Sequence, residues 1–104
     1  MIDKVKIVSN VWFRQIELQQ KGEKMKGHSH EFDHIHLLAQ GEVRVTVEGI
    51  DTDFKAPATI FICKDKEHSL EALTDYSLGF CIRPLRDGFR VEDIINPEDM
   101  PTIA

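Results

Sequence analysis

From about residue 10 to residue 83 the chain alternates apolar and polar residues, and turn residues interrupt the alternation at short intervals. Period-two patterning of this kind suits extended strands that bury one face and solvate the other. Frequent turns between short strands specify an antiparallel sandwich or barrel, so the expected class is mainly β. Val11–Leu18 (VWFRQIEL) reads as a strand, Lys21-Gly22-Glu23 as a turn, and residues 34–39 as a strand. Gln40-Gly41 then leads into residues 42–48, where Val43, Val45 and Val47 alternate with polar neighbours, and a hairpin is expected at this turn. Gly49-Ile50-Asp51 is a turn, 59–63 a short buried strand, Lys64-Asp65-Lys66 a polar loop, and 68–73 and 76–83 the closing strands. Phe54, Ile60, Ile62, Leu70, Leu78, Phe80 and Ile82 are the expected core between two sheets.

A chain of 104 residues encloses one such core and no second one, so 1–104 reads as a single domain with its barrel at about 10–83. Beyond Pro84 the pattern changes to a C-terminal arm, 84–104, with a short helix at 91–95 that Asn96-Pro97 stops. The formal net charge is −5 and the basic residues are scattered, so no stripe exists to neutralise nucleic-acid phosphates or to hold an anionic membrane. No apolar run approaches the roughly 20 residues that cross a bilayer, and residues 1–10 lack the features of a signal peptide. A cytoplasmic protein is expected, with Cys63 and Cys81 as reduced thiols that serve as small buried hydrophobes.

All five histidines lie between residues 28 and 68, four of them within 28–36. If that stretch is one unbroken strand, His28, His30, His34 and His36 share a parity and therefore a face. Neutral imidazole is a good ligand for first-row ions, and a His-x-His pair on extended backbone brings two rings to one ion. The competing reading, unrelated exposed histidines, does not explain the spacing. His36 falls one step deeper than His34, where it would act as acid–base group or simply pack against a polar neighbour.

The run Gly27-His28-Ser29-His30-Glu31-Phe32-Asp33-His34, followed after six residues by Gly41, resembles the first motif of the cupins, G-x5-H-x-H-x3–4-E-x6-G. His28 and His30 fall on its two histidines, His34 on its carboxylate, Gly41 on its closing glycine, and Gly22 on its leading one. Of the second motif, G-x5-P-x-G-x2-H-x3-N, only His68 is retained; Pro57, Cys63, Asp65 and Ala72 stand at the other defined positions. The resemblance covers about residues 10–83 and implies a double-stranded β-helix, the jelly-roll barrel, with a metal in its mouth. It implies one divalent transition-metal ion (Fe, Mn, Ni, Zn or Cu) held by His28, His30, His34 and His68. Histidine in place of the family's glutamate makes the set all-imidazole and leaves the ion its full charge for an incoming anion.

Two functions follow as expectations. One is a metal-dependent enzyme of oxygenase type, such as a dioxygenase, acting on a small anionic or carbonyl-bearing molecule with His36 as the catalytic candidate. The other is a non-catalytic cupin module that binds or senses a small molecule. Arg14, Glu71, Tyr76 and Arg83 read as ordinary strand or surface residues rather than substrate ligands. Trp12 and Phe13 are adjacent on a strand, so one faces out, and the outward ring is expected to pack on a second subunit of a homodimer.

Overall fold

The computed structural model describes residues 1–8, 10–29 and 33–85, and of His28 it describes the backbone. The helix expected at 91–95 and nearly all of the C-terminal arm lie outside these residues. Nine strands are present among them: β1 (Ile2–Val8), β2 (Val11–Leu18), β3 (Lys24–His28), β4 (His34–Gln40), β5 (Glu42–Val47), β6 (Ile50–Lys55), β7 (Ala58–Ile62), β8 (His68–Ala72) and β9 (Ser77–Pro84). They form a five-stranded sheet in the order β1-β2-β9-β4-β7 and a four-stranded sheet in the order β3-β8-β5-β6. Each neighbouring pair is antiparallel. This is the mainly-β double-stranded β-helix expected from the sequence. Among the described residues no helix is long and apolar enough to cross a membrane.

The core lies between the sheets. Val43 and Val45 of β5, with Leu70 and Ala72 of β8, face Ile16 and Leu18 of β2, Leu38 of β4, and Ile60 and Ile62 of β7; all are buried. Ile60, Ile62 and Leu70 are therefore where the alternation puts them. On β9 the parity is the reverse of the expected one. Ser77, Gly79 and Cys81 point inward and are buried, while Leu78, Phe80 and Ile82 lie half-buried on the outer face. The cause is the neighbouring strand of the same sheet, because the His36 ring of β4 lies over β9, and only small inward residues on β9 leave room for it.

The hairpin expected at Gln40-Gly41 does not form. β4 belongs to the five-stranded sheet and β5 to the four-stranded one, so Gly41 is a corner that carries the chain between sheets. It sits at φ +84 with the Tyr76 carbonyl so close that a Cβ would lie 2.2 Å from its oxygen, and only glycine fits there. The hairpin that β5 does make is with β6. Glu48 and Gly49, at φ 48 and 80, form its two-residue loop, so the turn ends two residues earlier than expected and Ile50 opens a strand. Strand structure also begins at Ile2, well before residue 10: β1 pairs with β2 along its whole length, and Val5 and Ile7 enter the core.

Candidate metal centre

The stretch 28–36 is not one strand. β3 ends at His28 in the four-stranded sheet and β4 begins at His34 in the five-stranded one, so shared parity along a single strand does not bring these histidines together. The fold does so another way. His28 is the register partner of His68, after an irregularity in the ladder between Met25 and His28. His68 opens β8 and points inward, 2% exposed, and His34 opens β4 from the opposite sheet, 3% exposed. Their rings lie 5.3 Å apart between centroids, tilted by 48°.

That separation passes a simple test. Two imidazoles bound to one ion through nitrogens about 2.1 Å away, at a cis angle, hold their centroids roughly 5 Å apart. The orientation of His68 passes a second one. Its Nδ1 lies 3.0 Å from the carbonyl oxygen of Lys66, a bond in which the ring N–H donates, so Nε2 carries the lone pair that a metal requires. His30, a predicted ligand, and the side chain of His28 lie outside the described residues. Among the described residues no group of three His, Cys, Asp or Glu side chains is gathered at metal-binding distance.

His36 lies beneath this pair. It is 2% exposed, and its Nδ1 is 3.4 Å from Cys81 Sγ. Its Nε2 is pressed toward β9, where a Cβ on Gly79 would meet it at 2.4 Å. Burial, and to a lesser degree the neighbouring His68, lower its pKa to about 4, so the ring is neutral at physiological pH. Burial also pushes the Cys81 thiol up to about 11, whereas Cys63 is exposed and not the buried hydrophobe expected.

Three supporting groups are not evident from the sequence. Asp33 Oδ1 accepts a 2.7 Å hydrogen bond from the Lys64 backbone N–H, which joins the segment before His34 to the loop before His68. The Lys66 carbonyl orients His68, and Gly79 clears the space for His36. An aspartate immediately before a histidine strand is a weak signal, and a carbonyl gives none. Of the polar residues read as ordinary, Arg14 is paired with Asp3, Tyr76 donates its hydroxyl hydrogen to Glu17, and Arg83 stacks over Trp12 with its guanidinium carbon 4.9 Å from the ring centroid. Trp12 thus faces inward and Phe13 outward.

No family model matches this sequence, and no curated protein does. Solved structures do match its architecture. KdgF from Halomonas sp. superposes with a TM-score of 0.71 over 86% of this chain and 80% of that one, at 21% identity. An RmlC-like cupin family protein with a double-stranded β-helix fold from Methanocaldococcus jannaschii gives 0.69 over 80% of each chain, at 17% identity. The chain folds as a cupin. A cupin-2 domain protein from Shewanella frigidimarina, with TM-score 0.65 and 16% identity over 80% of this chain and 79% of that one, shares the barrel. At such identities the likeness establishes the cupin fold and leaves the chemistry to the residues of this barrel.

Proposed function

We propose that this cupin is a metal-dependent enzyme of oxygenase type that holds one divalent first-row ion through His28, His30, His34 and His68 and acts on a small anionic or carbonyl-bearing molecule. The observation that carries the proposal is the buried approach of His34 and His68 from opposite sheets, 5.3 Å between ring centroids. Two imidazoles buried this close displace apolar core, and an ion that takes up their lone pairs accounts for the cost. When bound, the ion would supply Lewis acidity or redox reactivity at positions its protein ligands leave open.

The chain's own residues do the rest. The Lys66 carbonyl fixes the His68 tautomer, and Asp33 ties together the two segments that present His34 and His68. An all-imidazole set contributes no negative charge, which favours an anionic ligand over a neutral one. The inward apolar residues beside the pair, Ile62 of β7 and Leu70 of β8, keep water from its base. His36 turns both ring nitrogens toward β9, and these surroundings favour a packing and positioning role over acid–base work. That same orientation favours, as a second reading, a non-catalytic cupin that binds or senses its ligand. Both readings belong in the reducing cytoplasm, to which two free thiols are suited.

Elemental analysis of untagged protein tests the site. The wild type should carry about one equivalent of a first-row metal, and His34→Ala and His68→Ala should each lower it by at least about tenfold. Unchanged metal content in both variants would remove the proposal. Oxygen uptake by the Fe(II)-loaded protein with diketone, thiol or α-hydroxy-acid substrates then separates the readings: turnover supports the enzyme, and stoichiometric binding without turnover supports the sensing module.

A further inference from the structure

The mouth of the barrel carries an arginine as well as imidazoles. Trp12 is the second residue of β2, Arg83 stands next to last in β9, His34 opens β4 and Ile62 closes β7. All four therefore lie at one end of the five-stranded sheet. Trp12 is the register partner of Arg83, and His34 is that of Ile62. The β4–β9 ladder runs to Ile35 opposite Ile82, so one further step sets His34 beside Arg83. Parity agrees: Ser77, Gly79 and Cys81 point inward on β9, and Arg83 continues their series. Trp12, Arg83, His34 and Ile62 thus form one inward row across strands about 4.8 Å apart.

Arg83 is also held in place. Its Nε is buried, and its guanidinium carbon lies 4.9 Å from the centroid of the Trp12 ring, which packs in turn against the core. The Leu85 backbone N–H donates a 2.6 Å bond to the Asn10 carbonyl and ties the end of β9 to the start of β2. An aromatic face against one side of the guanidinium leaves its N–H donors directed outward within their own plane. Arg14, one inward step deeper, shows a different use of an arginine: its Nε and Nη2 donate to the two carboxylate oxygens of Asp3. We propose that Arg83 is the specificity-determining residue of this mouth, and that the ligand is a small carboxylic acid whose carboxylate pairs with the guanidinium edge beside the imidazole cluster. The assignment rests on the reading of this mouth as a metal-dependent ligand site. A planar carboxylate lies in the guanidinium plane and accepts two parallel N–H bonds. A tetrahedral phosphate sends oxygens out of that plane, where the Trp12 indole stands on one side, so carboxylate is the better fit. A guanidinium beside a set of neutral imidazoles also favours the acid over its amide by charge.

Titration calorimetry of the full chain with lactate and lactamide, an acid and an amide of the same size, tests the pairing, with zinc-loaded and chelator-treated protein measured side by side. In both states the wild type should bind lactate at least about tenfold more tightly than lactamide or inorganic phosphate. Lactate should also shift the fluorescence of Trp12, the only tryptophan of the chain. Arg83→Gln should lower lactate affinity at least about tenfold, with lactamide affinity moved less than about twofold and metal content unchanged. Arg83→Lys repeats the measurement should the glutamine variant fail to fold, and should weaken lactate at least about threefold, because an ammonium lacks the planar fork. A wild type that binds lactate and lactamide equally, or prefers phosphate, overturns the proposal. So does a folded Arg83→Gln protein that binds lactate as the wild type does, or that loses lactate and lactamide alike. Elemental analysis of the same samples separates this result from the metal centre. A wild type without metal that still prefers lactate through Arg83 removes the metal centre alone, and a metal-bearing wild type without the preference removes the role of Arg83 alone.

Discussion

Gly79 has no room for a side chain, because His36 occupies the place where one would sit. A methyl group there would have to displace a buried ring whose Nδ1 rests against Cys81 of the same strand, so Gly79→Ala should destabilise the protein by about 1–3 kcal/mol in urea unfolding. In a His36→Ala background the added methyl loses its obstacle. A double-mutant cycle should then show a coupling of about 1 kcal/mol or more between the two positions. The two cysteines differ for a similar reason of placement. Cys63 is exposed and should react with a maleimide within minutes in the native protein, whereas Cys81 should be labelled only on unfolding, as mass spectrometry of the intact chain would show. Cys81 also carries a pH dependence. Its native pKa, about 11, lies above the ordinary 9.0, so the folded state keeps a proton that the unfolded chain releases. That contribution to stability is complete below pH about 9 and is lost as the pH rises toward about 11; Cys81→Ala should flatten the alkaline limb of the stability curve by that amount. The histidine cluster was the most legible feature at this scale, since spacing alone marks it. The partners of those histidines were not legible, because a carbonyl, a glycine and an aspartate become informative only when the fold brings them near.

Strand structure was readable wherever one face of a strand is buried and the other is wet. Val11–Leu18 and the valines of β5 are such cases, and their bounds follow the alternation closely. β6 (IDTDFK) was not readable, because an Asp-Thr-Asp run has little intrinsic strand preference. It is a strand because Arg44 and Thr46 of β5 take up its aspartates across the ladder. β1 is not legible either, because Asp3, Lys4 and Lys6 dilute its two core residues, Val5 and Ile7. Connectivity was harder still. A glycine after a strand suits a hairpin and a corner equally well, and the choice at Gly41 rests on the distant Tyr76 carbonyl pressed against it. Gly41→Ala combines a left-handed backbone with a clash against main chain rather than a movable side chain. It should cost about 3 kcal/mol or more, measured by urea unfolding, if the variant accumulates folded at all.

At the scale of the whole molecule, the mainly-β barrel followed from patterning, and its topology from the resemblance of the histidine run to a cupin motif. The way in which the histidines meet did not follow. A single strand with four imidazoles on one face was a reasonable picture, but the actual arrangement draws on both sheets, His34 from one and the His28–His68 rung from the other. This has a mechanical consequence. The two layers of the barrel resemble the halves of a clamshell, and the 5.3 Å between the His34 and His68 rings spans its lip. Any ligand that grips both rings acts as a clasp, so occupancy of the mouth and breathing of the sandwich become a single equilibrium.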